Sequence, residues 1–215
     1  MNYSNIFFDL DGTLTDSKVG IINSVKYSLN KAKVDYSNAN LELFIGPPLL
    51  NSYVEVLKMS KNDALKAIDY YQEYFSEKGK FENYVYDGII DLLLALKKSN
   101  AKIYMATTKP EFFAKQIAEH FGFSKFFDEI TGGTLDQKLA EKDEILALAI
   151  KRAKIKDKTT CVMVGDRMHD IIGAQKNGLD CVGVLYGYGS KKELSSYSQT
   201  AIIDSVKSLE NYLLK

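Results

Sequence analysis

The chain has no excess charge of either sign and few of the side chains that bind nucleic acid. Its 215 residues carry 28 lysines and arginines against 28 aspartates and glutamates, which gives a formal net charge of zero. Arg152 and Arg167 are its only arginines, and arginine is the residue preferred for bidentate contacts to bases and phosphates. Without a basic surplus, neither nucleic acid nor an anionic membrane is expected as a partner.

Long apolar runs, a signal segment and a cysteine framework are also missing. The longest apolar run, residues 89–96, is broken by Asp91 and is far shorter than the roughly 20 residues of a membrane span. No basic segment precedes an apolar stretch at the N-terminus, as a signal peptide would require. Cys161 and Cys181 lie in strand-like runs and are expected to be buried thiols rather than a disulfide. These features predict a cytoplasmic, soluble protein.

Apolar β-branched segments alternate with helical patterns over most of the chain. The predicted strands are residues 6–8, 102–106, 129–131, 160–164, 181–184 and 201–203. The predicted helices are residues 88–99, 110–121, 141–153, 170–177 and 205–214. Strands separated by helices of this length indicate an α/β protein with a doubly wound parallel sheet, covered by helices on both faces.

One long segment breaks the alternation. Residues 17–86 have helical periodicity and no convincing strand, and the G-P-P string at 46–48 can end one helix and start the next. We therefore expect a small all-helical cap domain at 17–86, inserted into a core domain formed by residues 1–16 and 87–215.

Two aspartates follow the first predicted strand, one residue apart. The string N-I-F-F-D-L-D-G-T at residues 5–13 puts Asp9 and Asp11 before Gly12. Residues i and i+2 of a strand point the same way, so both carboxylates should lie at the strand end, where parallel α/β sheets bind ligands. Like charges this close need a cation or a shared proton. The alternative is a solvated Asp-Gly turn without a chemical role.

A pair of hydroxyl groups ends the second long strand. Thr107 and Thr108 follow the predicted strand and precede Pro110, which can open the next helix. A hydroxyl near the backbone amides of a helix N-terminus can bind a phosphate oxygen. A plain helix N-cap is the alternative interpretation of the same residues.

A cation is also needed, because phosphoryl transfer spreads negative charge over the phosphoryl oxygens. Lys142 begins the predicted helix at 141–153. From the residues alone, it is not distinguished from Lys138 or Lys109.

The last motif is a strand that ends in Gly-Asp. Residues 162–170 read V-M-V-G-D-R-M-H-D, with Asp166 at the strand end and Asp170 at the start of a helix. Mg²⁺ prefers carboxylate oxygens and keeps several waters, so Asp166 could supply a ligand opposite Asp9 while Asp170 orients a metal-bound water. Alternatively, Asp170 acts only as a favourable charge at a helix N-terminus.

In their order and spacing, these four motifs resemble those of the haloacid dehalogenase (HAD) superfamily, over nearly the whole chain. Within it, the chain looks most similar to the phosphoglycolate phosphatase-like group, which has a helical cap. The resemblance implies that Asp9 is the nucleophile and a metal ligand. It implies that Asp11 is the general acid and base, with its backbone carbonyl on Mg²⁺. It further implies that Thr107 binds phosphate, that Lys142 stabilises the nucleophile and the phosphoryl charge, and that Asp166 completes the metal site.

The lysine motif departs from that of many relatives, which carry Lys-Pro-x-Pro-Asp. Here residues 140–144 read A-E-K-D-E.

The resemblance predicts a Mg²⁺-dependent phosphatase that acts on a small phosphorylated metabolite, with phosphoglycolate or a nucleoside monophosphate as leading candidates. Asp11 favours phosphoryl transfer over dehalogenation, since a halide needs no proton. A phosphoglucomutase-type phosphosugar isomerase shares all the core residues and stays open, as does a catalytically idle HAD binding module. The motifs do not set the oligomeric state.

Overall fold

The structure is a computed structural model that describes residues 3–215. The chain forms two compact units. One consists of the described residues of Met1–Thr15 together with Val85–Lys215, and the other is Asp16–Tyr84.

The larger unit is built on a six-stranded parallel sheet. In chain order the strands of the described residues are β1 (Asn5–Phe8), β2 (Thr15–Asp16), β3 (Tyr84–Val85), β4 (Lys102–Pro110), β5 (Glu129–Gly133), β6 (Cys161–Gly165), β7 (Asp180–Val184) and β8 (Ala201–Ile203). The main sheet has the order β5-β4-β1-β6-β7-β8, with parallel neighbours throughout. This confirms the predicted α/β class and parallel sheet.

Helices follow most of these strands. They are α1 (Lys18–Ala32), α2 (Leu49–Leu57), α3 (Lys61–Glu77), α4 (Ile89–Lys98), α5 (Glu111–His120), α6 (Lys142–Arg152), α7 (Met168–Asn177), α8 (Lys191–Ser195) and α9 (Val206–Leu213). Within the larger unit, the predicted helices agree with α4, α5, α6, α7 and α9 to within two residues at each end.

The centre of the sheet is buried on both faces, which explains why its strands are almost wholly apolar. On β1, Ile6, Phe7 and Phe8 are fully buried. One core cluster packs Phe7 with β6 side chains and with Ile145 of α6 and Ile171 of α7. Cys161 and Cys181 are buried free thiols, as predicted.

The strand order predicts the position of the ligand site. Chain connections from β1 lead to β4 on one side, and those from β6 lead to β7 on the other. The order therefore reverses between β1 and β6, and open α/β sheets bind ligands at the carboxyl ends of such strands.

The smaller unit contains α1, α2 and α3, as the helical periodicity predicts. Tyr71 and Phe75 on α3 are buried, and their rings stack at 5.3 Å. Pro48 precedes α2, but the segment before it is only a 3₁₀ turn at Leu41–Phe44, not the helix expected there.

Two very short strands differ from the prediction. β2 and β3 pair in a two-stranded sheet, although residues 17–86 are expected to lack strands. Two residues are too few to establish an alternating pattern, which is why the sequence gives no signal for them. Among the described residues, no helix has the length and apolar composition needed to cross a membrane.

Candidate active site

Asp9 and Asp166 lie at the carboxyl ends of the two central strands. Asp9 follows β1 directly, and its backbone N–H donates to the carbonyl of Val164 on β6 at 3.0 Å. Asp166 follows β6, and the residue is 0% exposed. The chain thus brings both aspartates to the point where the strand order reverses.

The ammonium group of Lys142 bridges two carboxylates. Lys142 is the first residue of α6 and is 5% exposed. Its Nζ lies 2.7 Å from Asp9 Oδ1 and 2.8 Å from Asp170 Oδ1, and it donates to the carbonyl of Ala106 at 2.9 Å. Burial by itself would lower the pKa of Lys142, but Asp170 and Asp9 outweigh it and hold the pKa above its usual range. The lysine is therefore a charged group at neutral pH.

Asp9, Asp166 and Asp170 form a buried carboxylate cluster. Each offers an oxygen, and these oxygens lie within 4.8 Å of one another. Burial, followed by the charges of Asp170 and Asp9, raises the pKa of Asp166 well above its usual range. Burial also raises the pKa of Asp170, although Lys142 opposes the shift. The cluster is electrostatically costly unless a cation or protons relieve it.

Asp170 has two structural roles at once. It lies in the first turn of α7, where its Oδ2 accepts from the backbone N–H of Arg167 at 3.0 Å and its Oδ1 faces Lys142. A Cβ on Gly165 would lie 2.1 Å from Asp170 Cγ, so a glycine is required at the end of β6. The helix-terminal charge and the contact with the cluster are therefore both present.

A glycine-rich segment after β7, which is not among the motifs described above, contacts Asp166. The backbone N–H of Tyr188 donates to Asp166 Oδ2 at 2.8 Å. A Cβ on Gly187 would lie 2.5 Å from Asp166 Cβ, and one on Gly189 would lie 1.8 Å from the Asp166 carbonyl oxygen. The signal in the sequence is the string Y-G-Y-G at residues 186–189, just after the apolar strand β7 ends at Val184.

Gly12 also lies close to the Asp166 carboxylate. Its φ is +83°, a left-handed conformation, and a Cβ there would lie 2.3 Å from Asp166 Oδ2. The backbone therefore approaches Asp166 more closely than any residue with a side chain would allow.

Asp11 lies apart from the three-carboxylate cluster and pairs with a second lysine. Its Oδ2 lies 2.9 Å from Nζ of Lys109, a lysine to which the family resemblance assigns no role. The side chains of Lys109 and Asp11 are 5% and 12% exposed. Two buried lysines, not one, thus belong to the site.

Thr107 and Thr108 lie near the end of β4, next to β1 in the sheet. Thr107 is 1% exposed, and its Oγ1 accepts from the backbone N–H of Lys109 at 3.3 Å. Thr108 is half-buried. Both hydroxyl residues are therefore on the strand that borders the aspartates.

The charge balance of the site suits a divalent cation. The site contains four carboxylates (Asp9, Asp11, Asp166 and Asp170) and two ammonium groups, that of Lys109 paired with Asp11 and that of Lys142 paired with Asp9 and Asp170. With all six groups ionised, an excess of two negative charges remains. Carboxylate oxygens are the ligands of hard divalent cations, and the buried cluster fits such an ion.

The chain matches a family model and several known proteins. A family model described as haloacid dehalogenase-like hydrolase matches residues 6–184. A protein of Pseudomonas aeruginosa named 5'-nucleotidase is 41% identical over 214 residues, which are 99% of this chain and 96% of that protein. A crystal structure of a predicted phosphatase from Clostridium acetobutylicum has a TM-score of 0.94 at 45% identity, covering 100% of this chain and 99% of the other.

Other relatives carry different names. The tyrosine-protein kinase PtkA of Mycobacterium tuberculosis is 34% identical over 197 residues, which are 92% of this chain and 67% of that protein. A phosphoglycolate phosphatase of Psychrobacter arcticus is 28% identical over 230 aligned positions, covering 100% of this chain and 97% of that protein.

Proposed function

The chain belongs to the haloacid dehalogenase-like hydrolases, and we propose that it is a Mg²⁺-dependent phosphatase that hydrolyses a small phosphomonoester through an aspartyl-phosphate on Asp9. The observation that carries this proposal is the contact of the Asp9 carboxylate with the buried ammonium group of Lys142, at 2.7 Å inside an acidic cluster. A carboxylate held beside a fixed cation can approach a phosphate dianion that would otherwise repel it.

In the first step, Asp9 attacks phosphorus and the bond to the leaving oxygen breaks. Asp11 gives its proton to that oxygen, so the alcohol leaves neutral and Asp11 becomes a carboxylate. In the second step Asp11 takes a proton from water, whose oxygen attacks the phosphorus, and the carboxylate of Asp9 is released with inorganic phosphate. One residue thus acts as general acid in the first step and as general base in the second.

Lys142 and Thr107 are proposed to bind the phosphoryl oxygens, with Thr108 beside them. When bound, Mg²⁺ would be held by Asp9 and Asp166 and would neutralise charge on the phosphoryl group. Asp170 would keep Lys142 in place, given the 2.8 Å contact between them. All of these groups would act on the phosphoryl group, which every phosphomonoester contains.

For the substrate we propose a nucleoside 5'-monophosphate. The support is the 5'-nucleotidase relative, which at 41% identity is closer than the phosphoglycolate phosphatase at 28%. We also propose that the helical unit, Asp16–Tyr84, selects among phosphomonoesters. The two free buried thiols support a reducing compartment, and we propose the cytoplasm.

The alternatives predict different products. An idle binding module would release no phosphate, and the presence of Asp9, Asp11 and Asp166 argues against it. A phosphosugar isomerase would convert one sugar phosphate into another without net release of phosphate.

The test is release of inorganic phosphate from a panel of nucleoside 5'-monophosphates, phosphoglycolate, sugar phosphates and p-nitrophenyl phosphate. Activity is expected with Mg²⁺ and not with EDTA, and D9N is expected to be inactive while keeping its circular dichroism spectrum. Activity that is indifferent to EDTA, or that survives in D9N, would overturn the proposal. Rearrangement of a sugar phosphate without phosphate release would favour the isomerase.

A further inference from the structure

Lys109 is a buried lysine that the proposed mechanism does not use. The residue is 8% exposed, and its ammonium group lies 2.9 Å from Asp11 Oδ2. Removing a lysine from water is costly unless its charge is paired and hydrogen-bonded. The fold tolerates Lys109 at this place because Asp11 faces it.

The backbone around Lys109 is tightly constrained. The pairing of β4 with β5 shifts register between Thr107 and Pro110, and the N–H of Lys109 donates to Thr107 Oγ1 at 3.3 Å. On β5, a Cβ on Gly132 would lie 2.6 Å from the carbonyl oxygen of Lys109. These contacts fix the backbone at the carboxyl end of β4. From there the Lys109 side chain extends to Asp11, which follows β1 in the chain.

The two oxygens of Asp11 have different surroundings. Oδ2 is paired with Lys109, whereas Oδ1 is buried and has no hydrogen-bond partner among the described residues. A buried polar atom without a partner is unusual and calls for an explanation. Oδ1 is therefore the oxygen able to hold and transfer a proton.

We propose that Lys109 is a positioning residue for Asp11, an inference that rests on the proposed phosphatase function. Its contact with Oδ2 fixes the carboxyl group so that Oδ1 exchanges the proton. As the phosphorus–oxygen bond breaks, the proton moves from Oδ1 to the leaving oxygen, and negative charge develops on Asp11 beside the Lys109 ammonium group. The lysine stabilises the carboxylate that this proton transfer produces.

Substrates with different leaving groups separate this role from phosphate binding. An alkoxide needs a proton in order to leave, whereas p-nitrophenolate is a weak base and leaves without one. The quantity to compare is kcat/KM, because it covers only the steps up to departure of the leaving group. We expect K109M to lower kcat/KM roughly 10- to 100-fold for the most active alkyl phosphomonoester of the panel, as partial loss of general-acid catalysis. For p-nitrophenyl phosphate the expected loss is less than about 3-fold.

A double-mutant cycle adds a second readout. If Lys109 acts through Asp11, K109M should cause no further loss for the alkyl ester in a D11N background. The inhibition constant for inorganic phosphate should change less than about 3-fold in K109M, because the phosphoryl site is unaltered.

Lys138 offers a matched control, since its ammonium group also pairs with an aspartate, Asp136, at 2.9 Å, but its side chain is 85% exposed. K138M should leave both substrates unaffected, and T107V should slow both alike. If K109M does not fold, K109Q can replace it. This variant removes the positive charge but keeps a donor for Asp11, and its loss of kcat/KM should again be confined to the alkyl ester.

Equal losses for both substrates, or independent effects of D11N and K109M, would overturn the role of Lys109 while leaving the phosphatase intact. A wild-type protein that hydrolyses neither ester would contradict the proposed function itself.

Discussion

Asp166 is a fully buried side chain whose negative charge is unfavourable without a bound cation. Burial and the carboxylates of Asp170 and Asp9 raise its pKa, so the ionised form destabilises the metal-free protein at neutral pH. An asparagine could still accept from the Tyr188 N–H, which lies 2.8 Å from Oδ2. We therefore expect D166N to stabilise the metal-free fold by about 1–2 kcal/mol.

The measurement is thermal unfolding in EDTA and in Mg²⁺. The free energy of unfolding of the wild-type protein should rise by about 3–4 kcal/mol at Mg²⁺ concentrations 100- to 1,000-fold above Kd. That of D166N should hardly change. A variant that is less stable than wild type in EDTA, or that responds fully to Mg²⁺, would contradict this account of the cluster.

Gly12 can be tested against a glycine with the same backbone conformation. Gly12 and Gly122 have φ values of +83° and +75°, but a Cβ on Gly122 would meet nothing within 4 Å, whereas one on Gly12 would meet Asp166 Oδ2 at 2.3 Å. Alanine should cost about 1–2 kcal/mol of backbone strain at either position. G12A alone should also lose the stabilisation by Mg²⁺. Equal Mg²⁺ responses of G12A and G122A would show that the close approach at Gly12 is unimportant.

The site residues were predictable to different degrees. Asp9, Asp11, Asp166 and Asp170 follow strands in recognisable strings, so a local pattern suffices. Lys109 has no such signal, because the chain carries 28 lysines and arginines and the contact of Lys109 with Asp11 is a tertiary one.

At the scale of elements, Asp128 links α4, β4 and the start of β5. It accepts from Lys97 Nζ at 2.8 Å, from Lys102 Nζ at 3.0 Å and from the backbone N–H of Ile103 at 2.9 Å. Burial by itself would raise the pKa of Asp128, but these three donors lower it below the ordinary value of 3.8. A carboxylate with a depressed pKa stabilises the fold above its unfolded pKa, and this stabilisation is lost as the pH falls through the folded value.

We expect D128N to lower the free energy of unfolding by about 1–3 kcal/mol at neutral pH. The difference from wild type should shrink as the pH is lowered towards about 3. Urea denaturation across this range measures it, with D69N on an exposed position of α3 as the control. A D128N deficit that is constant with pH would refute the electrostatic explanation.

The longer elements follow from sequence periodicity, whereas the shortest do not. Apart from Asn5 at the start of β1, the strands β1 and β6 are apolar, and the long helices carry apolar residues at helical spacing. By contrast, α8 has five residues with one buried side chain, Leu194, and β2 and β3 have two residues each. Elements this short depend on tertiary contacts, which a local pattern does not contain.

At the scale of the whole molecule, the family match and the crystal structure of the predicted phosphatase from Clostridium acetobutylicum confirm the superfamily and fold that the motifs indicated. The motifs do not identify the substrate, because the residues that carry them are proposed to act on the phosphoryl group alone.

The proposed division of labour predicts separable effects on two dissimilar substrates. K142A should lower kcat/KM by roughly 10²–10³-fold for both, as with loss of one donor that stabilises transition-state charge. Substitutions at residues 45–48 of the helical unit, such as P47A, should instead change the ratio of the two values. An unchanged ratio after substitution at 45–48, or a substrate-dependent loss in K142A, would contradict the respective half of the prediction.

The central claim is that Asp9 becomes phosphorylated during turnover. Borohydride reduces an acyl phosphate to an alcohol and would convert a phosphorylated aspartate into homoserine. Wild-type protein should be quenched with borohydride while it is hydrolysing substrate, digested, and analysed by peptide mass spectrometry. Homoserine at position 9, and not at Asp11, Asp166 or Asp170, is the result the mechanism predicts. An enzyme that turns over substrate with every one of these aspartates unmodified would contradict it.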